Sequence, residues 1–419
     1  MLRLALRPLS LSLLLFALIV SLAAAAPAGK RRAPAPDELG PWAVGRQLYQ
    51  VVDFERLRGL TIDAWYPVDP EDAAGAPPSV YDLIFANIVS DVALNAPPSD
   101  ARRFPLIVFS HGSGGLSIQS YFLAEHLASH GFVVIAPGHV GNTALDLLFP
   151  GTPFEASDRP LDVSLVITDL LEKDLDPASP FFGRIDPWRI GVAGHSFGGF
   201  TTLAMSAGFQ DVPPDPRVRA LMPIAPVSTA FSDEELAAID EPLFILGGTS
   251  DITTPIDPQS VRAFEQTVTR PAWRVDVEKA GHNSFTNVCD LADALSAVIP
   301  PELIQFLIDS ALEGCAPELI PIEEAHRITS FYATSFFKVH LEGDRRFRRF
   351  LKPPSSQKMN GRKQYEKRKR RGSDDDKDKD RDKAADRGKD RDEDSDRKKR
   401  RKKTSRPQDD FPIVFFFRR

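Results

Sequence analysis

A serine flanked by glycines lies near the middle of the 419-residue chain, in Gly194-His195-Ser196-Phe197-Gly198. The residues before it, 189–194, have the apolar and small side chains of a buried strand, and residues 198–208 have those of a helix. A sharp strand-to-helix turn crowds the backbone, so the positions two residues before and after the serine require glycine. The pattern predicts a nucleophile elbow that exposes the Ser196 hydroxyl. An ordinary glycine-rich turn is the alternative.

A serine hydroxyl becomes an effective nucleophile only when a base removes its proton. His282 follows the strand-like residues 273–280 and is the predicted base, with a surface-loop histidine as the alternative. Asp251 follows the apolar residues 242–248 and is the predicted acid that orients the base, although Asp257 is close by. Serine, acid and histidine thus occur in the chain order of one large group of Ser-His-Asp hydrolases.

Two backbone N–H groups are candidates for stabilising an oxyanion, the negative oxygen of a tetrahedral intermediate. Phe197 supplies one at the predicted helix start, and Ser113 supplies the other in the strand and loop of residues 104–115 (FPLIVFSHGSGG). A phosphate-binding loop is the competing interpretation of these glycines, but no Lys-Ser or Lys-Thr pair follows them. His111, in the same loop, is expected to be structural.

The remaining histidines give weaker signals. His139 follows the strand-like residues 132–137 and is expected either to line the substrate pocket or to be a hydrogen-bonded loop residue. His126 and His130 have the spacing of adjacent helical turns, but Leu127 occupies the position of the glutamate in the H-E-x-x-H zinc pattern. We therefore predict no metal site and no cofactor.

The chain has two cysteines, Cys289 and Cys315, and both follow His282. We expect a disulfide between them, with two free buried thiols as the alternative. A loop of this length would stabilise the fold by about 3–4 kcal/mol in the chain-entropy picture. Such a bond would also help to hold the histidine loop in place.

Short apolar runs alternate with helical stretches over much of the chain. This alternation predicts a mostly parallel sheet flanked by helices, an α/β fold. The predicted strands are residues 104–110, 132–137, 189–194, 220–226 and 242–248, and the predicted helices are residues 118–131, 160–175, 198–208 and 325–341.

The formal net charge of −6 averages three unlike segments. Residues 1–32 carry +5, residues 33–340 carry −24 and residues 341–419 carry +13. Residues 1–28 combine a basic start, a short apolar run and small residues, which predicts a cleaved signal peptide rather than a membrane anchor. The mature protein is thus expected to be secreted or periplasmic.

The catalytic domain is predicted over residues 33–352 and a disordered charged tail over residues 353–419. Residues 361–410 are nearly all Lys, Arg and Asp, without aliphatic residues that form a core. The basic runs at 367–371 and 397–403 raise binding to an anionic surface as an alternative to a solvated tail. No aromatic residue is interleaved for base stacking, so no specific nucleic-acid partner is predicted.

Several blocks together resemble the secreted α/β-hydrolases grouped with platelet-activating factor acetylhydrolases and predicted dienelactone hydrolases. The resemblance implies an α/β-hydrolase fold, the triad Ser196, Asp251 and His282, and an oxyanion hole at Ser113 and Phe197. The acid at Asp251 is more similar to that of dienelactone and bacterial polyester hydrolases than to that of animal acetylhydrolases. The matching blocks are residues 64–67, 108–115, 136–143, 159–171, 183–199, 247–255 and 280–289.

These observations predict a serine carboxylic-ester hydrolase that acts on a small-molecule or lipid ester. A polyester or cutin-like depolymerase is the second hypothesis, and a non-enzymatic binding protein on a hydrolase scaffold is the third. The sequence does not indicate an oligomeric state.

Overall fold

A computed structural model describes residues 35–149, 151–354 and 407–418. Eleven strands in these residues form one sheet. They are β1 (Ala43–Asp53), β2 (Arg58–Val68), β3 (Pro78–Asp82), β4 (Asn87–Leu94), β5 (Phe104–Ser110), β6 (Val133–Pro137), β7 (Ile185–His195), β8 (Val218–Ile224), β9 (Leu243–Gly248), β10 (Ala272–Val277) and β11 (Ile413–Arg418).

Ten α-helices are found in the same residues. They are α1 (Pro70–Ala74), α2 (Tyr121–Ser129), α3 (Ala144–Leu148), α4 (Asp158–Leu175), α5 (Phe197–Ala207), α6 (Asp233–Ala237), α7 (Arg262–Gln266), α8 (Val288–Ser296), α9 (Gln305–Cys315) and α10 (Ile322–His340). Short 3-10 turns occur at His282–Phe285, Pro301–Leu303, Arg345–Arg349 and Pro407–Asp410, and a π-helical turn at Asp257–Val261.

The sheet runs in the order β11-β10-β9-β8-β7-β5-β6-β2-β1-β4-β3. All neighbouring strands from β10 to β6 in this order are parallel. Every residue of β5, β6, β9 and β10 is buried, and β5, β6 and β9 are accordingly nearly continuous apolar runs in the sequence. Strand β10 differs because it carries a buried ion pair of Arg274 and Asp276. The prediction of a mostly parallel sheet flanked by helices is confirmed.

The parallel strands position the candidate chemistry. Their carboxyl ends all lie at one edge of the sheet, where ligands of open α/β sheets bind. The segments that follow β5, β7, β9 and β10 carry Ser113, Ser196, Asp251 and His282 respectively. Residues far apart in the sequence therefore meet because each one follows a neighbouring or nearby strand.

The sheet extends beyond the predicted strands on the amino-terminal side. β1 and β2 form an antiparallel pair of eleven residues each, and β2 joins the parallel strands through β6. The sequence analysis assigned no strand to residues 43–94. Their burial is mixed, as in β1 and β4, so they lack the continuous apolar runs of the central strands.

The chain's last described segment corrects the prediction of a disordered tail over residues 353–419. Strand β11 pairs antiparallel with β10 over six residues and forms one edge of the sheet. Phe411, Ile413 and Phe415 are buried, and the Phe417 ring stacks on Trp273. A short apolar segment gains order here because a neighbouring edge strand supplies hydrogen bonds and apolar contacts. The catalytic domain thus includes residues 407–418.

Two sequence predictions fall on other parts of the chain. The predicted signal peptide at residues 1–28 and the charged residues 355–406 lie outside the described residues. Within the described ranges, no helix is both long enough and apolar enough to span a membrane.

Candidate active site

The residues around Ser196 form a tight turn between β7 and α5. Ser196 has φ 57°, a backbone conformation that side-chain-bearing residues rarely adopt. A Cβ at Gly198 would lie 1.8 Å from the Ser110 carbonyl oxygen, and one at Gly194 would lie 2.3 Å from the Gly198 oxygen. Both positions therefore require glycine for steric reasons. The fold maintains a strained serine at this turn, a feature that tends to occur at functional sites.

A chain of two hydrogen bonds connects Ser196, His282 and Asp251. The Ser196 Oγ lies 2.9 Å from His282 Nε2, and His282 Nδ1 lies 2.9 Å from Asp251 Oδ2. A carboxylate only accepts hydrogen bonds, so Nδ1 carries the proton in the neutral imidazole and Nε2 faces the serine as an acceptor. This tautomer allows the imidazole to take a proton from the serine hydroxyl.

The segments that follow β9 and β10 hold the acid and the base in position. His282 begins the 3-10 turn that follows β10, and Asp251 lies just after β9. Both side chains are buried, with 5% of His282 and 6% of Asp251 exposed. Low exposure strengthens electrostatic interactions between the two groups, because water screens them less.

Thr254 is a further neighbour of the acid that the sequence analysis missed. Its backbone N–H donates to Asp251 Oδ1, and its hydroxyl oxygen lies 2.8 Å from Asp251 Oδ2. The same hydroxyl is 3.1 Å from His282 Nδ1 and 3.0 Å from the Ala225 carbonyl oxygen. Thr254 is three residues after Asp251, a spacing at which a side chain often forms a hydrogen bond within a local turn. This spacing was the signal available in the sequence.

Replacing Thr254 with valine should reduce kcat for an ester substrate by about tenfold, with little change in KM. Valine has a similar shape, so the expected loss comes from one hydrogen bond to a charged group, about 1.5 kcal/mol. Steady-state kinetics of Thr254→Val and Thr254→Ser would measure it. The serine variant should retain most of kcat, whereas an equal loss in both variants would contradict a role for the hydroxyl.

The predicted oxyanion donors are the backbone N–H groups of Phe197, which follows Ser196 in the chain, and of Ser113, which follows β5. Phe197 is the first residue of α5, where N–H groups have no acceptor within the helix. Gly112 contacts the serine, since an added Cβ there would be 3.4 Å from Ser196 Cβ. Ser113 follows it, and its N–H has no acceptor among the described residues, whereas the N–H groups of Gly112 and Gly114 are hydrogen-bonded. Both candidate N–H groups are thus available to a ligand.

A buried hydrogen-bond chain connects this loop to the histidine turn. Gln119 Oε1 accepts from the Gly112 N–H at 2.7 Å, and Gln119 Nε2 donates to His195 Nδ1 at 2.9 Å. His195 Nε2 in turn donates to the His282 carbonyl oxygen at 2.8 Å. Burial, with the nearby His282, lowers the pKa of His195 to about 3, so its ring stays neutral and keeps this pattern. Sequence reasoning found neither Gln119 nor the role of His195.

His139 is the one predicted site residue that the structure places elsewhere. Its ring is fully buried, with Nε2 at 2.9 Å from Ser110 Oγ and Nδ1 at 3.0 Å from Asp162 Oδ2. Both ring nitrogens therefore have partners within the protein, and the ring is enclosed by the fold. These contacts match the alternative of a hydrogen-bonded loop histidine, with Asp162 supplied by helix α4.

Arg159, also on α4, is hydrogen-bonded to the end of β5 and to the segments that follow β5 and β6. Its buried guanidinium donates to the His111 carbonyl oxygen, to Ser110 Oγ and to Asn142 Oδ1. The guanidinium also lies over the Phe197 ring, 5.0 Å from its centroid. One buried cation thus contacts the loop after β5 and the first residue of α5.

The two cysteines form the expected disulfide. Cys289 near the start of α8 is bonded to Cys315 at the end of α9. These helices follow the His282 turn directly, and the Gly314 carbonyl accepts from the Ser284 hydroxyl. The disulfide therefore ties the two helices together next to the candidate base.

Two family models match the chain. One is described as PET hydrolase-like and matches residues 96–298, and the other as platelet-activating factor acetylhydrolase, isoform II, and matches residues 30–150. The first contains the predicted triad, and the second contains the loop with Ser113. Neither match includes residues beyond 298.

Curated relatives include cutinases and platelet-activating factor acetylhydrolases. Cutinase est1 of Thermobifida alba is 30% identical over 163 residues, 39% of this chain and 48% of the relative. The platelet-activating factor acetylhydrolase of Bos taurus is 26% identical over 207 residues, 40% of this chain and 45% of the relative. The chain thus spans about half the length of the curated relatives that it matches.

Proposed function

We propose that this chain, an α/β-hydrolase related to the platelet-activating factor acetylhydrolases and the PET hydrolase-like enzymes, is a serine hydrolase of carboxylic esters. The observation that carries the proposal is the hydrogen-bonded series of Ser196, His282 and Asp251 at the carboxyl ends of the parallel strands. Serine activation by a base that a third group orients is the requirement for acyl transfer.

In the proposed mechanism, His282 Nε2 removes the hydroxyl proton as Ser196 Oγ attacks the ester carbonyl carbon. The resulting oxyanion accepts hydrogen bonds from the N–H groups of Ser113 and Phe197. Asp251 holds the imidazole in the productive tautomer and stabilises the imidazolium. His282 then protonates the leaving alcohol, which departs and leaves Ser196 acylated. Water repeats these steps and releases the acid.

The charge of the domain favours an uncharged or zwitterionic ester. Residues 33–340 carry a formal charge of −24, and such a domain does not attract anionic substrates at long range. The match to platelet-activating factor acetylhydrolase, isoform II, supports a short-acyl phospholipid or small carboxylic ester as the leading substrate class.

A polyester or cutin-like depolymerase is the second candidate. The match to the PET hydrolase-like model over residues 96–298 and the similarity to cutinases favour it. The same triad serves both activities, so the difference lies in how the substrate approaches Ser196.

A substrate panel tests the proposal and separates the two candidates. The panel contains acetyl, butyryl and long-chain p-nitrophenyl esters, a short-acyl glycerophosphocholine and a polyester film. Hydrolysis of the soluble esters with little release from the film supports the first candidate, and efficient release from the film supports the second. Absence of hydrolysis of every ester would contradict the proposal and favour a binding protein on a hydrolase scaffold.

We also propose that the mature protein is secreted or periplasmic, after cleavage of residues 1–28. The disulfide between Cys289 and Cys315 supports this location, since disulfides persist outside the reducing cytoplasm. The basic runs at 367–371 and 397–403 remain candidates for contact with an anionic surface. Mass spectrometry of the exported protein would determine both the new amino terminus and the presence of these runs.

A further inference from the structure

A cavity of about 540 Å³ adjoins the loop that carries Ser113. Residues 113–116 and Gln119 form one part of its wall, and Asn283, next to His282, lies in the same lining. The volume is within the range of pockets that hold small ligands. The cavity is therefore lined by the loop of one proposed oxyanion donor and by the residue that follows the proposed base.

The rest of the cavity wall is mostly apolar and comes from four elements of the fold. The tip of the β3–β4 hairpin supplies Ile84 and Phe85, and the region of α3 supplies Leu147. Helix α8 supplies Leu295, and α9 supplies Leu307. The transfer of an apolar ligand from water to such a wall is favourable by about 0.8 kcal/mol for each buried CH₂.

Charged groups are nearly absent from this cavity. Asp82 is the only charged side chain among the described residues that line it, and its carboxylate accepts a hydrogen bond from the Ile84 N–H. The lining contains neither Lys nor Arg, so it offers no ionic partner for a phosphate or carboxylate. The chemistry of the wall fits a hydrocarbon chain and does not fit an anionic headgroup.

We propose that this cavity binds an unbranched aliphatic chain of the ester and makes the enzyme favour esters that carry one long chain. In a short-acyl phospholipid, that chain is on the alcohol side. The proposal rests on the proposed function, because it places the reacting carbonyl between Ser196 and Ser113. The chain belongs either to the acyl group or to the alcohol, and both have the same chemistry. The disulfide joins α8 to α9 and so restrains the two helices that form the far wall.

The test measures kcat/KM for two series of esters below their micellar concentrations. One series is p-nitrophenyl esters from acetate to dodecanoate, and the other is acetates of alcohols from ethanol to decanol. In one series, kcat/KM should rise about fourfold for each added CH₂ until the cavity is filled. That series identifies which side of the ester enters the cavity.

Variants locate the selectivity in the cavity. Leu295→Trp, which fills it, should lower the ratio of long-chain to acetate kcat/KM by at least about tenfold. Leu303→Trp, in the nearby 3-10 turn of Pro301–Leu303, is the matched control, because Leu303 is 66% exposed and does not line the cavity. That control should retain the wild-type ratio. If Leu295→Trp does not fold, Leu307→Phe replaces it.

The outcomes distinguish the cavity proposal from the proposed function. If short esters are hydrolysed but kcat/KM does not increase along either series, the cavity proposal is overturned and the proposed function is left intact. An unchanged ratio in a folded cavity-filling variant would overturn it as well. Failure to hydrolyse any ester, acetate included, would instead contradict the proposed function.

Discussion

Replacing Ser196 with alanine should reduce kcat/KM for p-nitrophenyl acetate by about four to six orders of magnitude. Alanine removes the oxygen that attacks the carbonyl carbon, and no other hydroxyl occupies its place beside His282 Nε2 among the described residues. The residual rate would come from the oxyanion donors and from substrate binding alone. Steady-state kinetics would measure the loss.

Ser250→Ala is a matched control for this variant. Ser250 is exposed and adjacent to the acid Asp251, but its side chain has no part in the proposed mechanism. Its kcat/KM should stay within about twofold of the wild type, since exposed substitutions rarely have large effects. The Ser196→Ala variant should unfold cooperatively at a temperature close to that of the wild type. Activity near the wild-type level in Ser196→Ala would refute its role as nucleophile.

Truncating the chain after Lys352 should destabilise the domain by several kcal/mol and cause aggregation. The truncation removes β11, which covers the edge of β10, and with it the buried residues Phe411, Ile413 and Phe415. Each buried side chain of this kind contributes about 1.5–3 kcal/mol, so the loss approaches the whole stability of a typical domain. Without β11, the edge of β10 exposes unpaired backbone N–H and C=O groups, which also invites association between chains.

An internal deletion is the matched control for that truncation. Gln408 Nε2 lies 3.4 Å from the Phe350 carbonyl oxygen, so the chain returns at residue 408 close to where it leaves at residue 354. Replacing residues 358–404 with a flexible linker of about ten residues should retain β11, the melting temperature and esterase activity. Size-exclusion chromatography and thermal unfolding would compare the two deletions. Equal stability of both would show that β11 does not contribute to the fold.

Strand β11 also stabilises the strand that leads to the candidate base. β10 leads into the turn that carries His282, and β11 pairs along its whole length. The Arg274 guanidinium lies over the Phe416 ring at 3.8 Å, and the Arg418 side chain donates to the Phe264 carbonyl. Losing these contacts should therefore reduce activity together with stability.

The sequence predicted the parts of the site that local patterns encode. Glycines around Ser196 identify a strained turn, and the order of serine, acid and base follows the order of the strands. The positions of Ser196, Asp251 and His282 just after their strands then place them at one edge of the sheet. The roles of these residues remain predictions that the geometry supports.

The residues that sequence reasoning missed depend on contacts between distant segments. Gln119 is 76 residues from His195, with which it forms a hydrogen bond, and no local pattern marks that pair. His139 was given two alternatives because its environment depends on Asp162 of a later helix. Strand β11 was missed because a charged segment of about fifty residues separates it from the rest of the domain, and strand pairing at that distance leaves no sequence period.

Labelling with a fluorophosphonate tests the central claim most directly, because the reagent forms a covalent bond with an activated serine. The purified protein would be labelled, digested with trypsin and analysed by mass spectrometry. We predict one adduct per chain, on Ser196 in the peptide of residues 190–217, and no adduct in the Ser196→Ala variant. An unlabelled wild-type protein, or an adduct on another residue, would contradict the account.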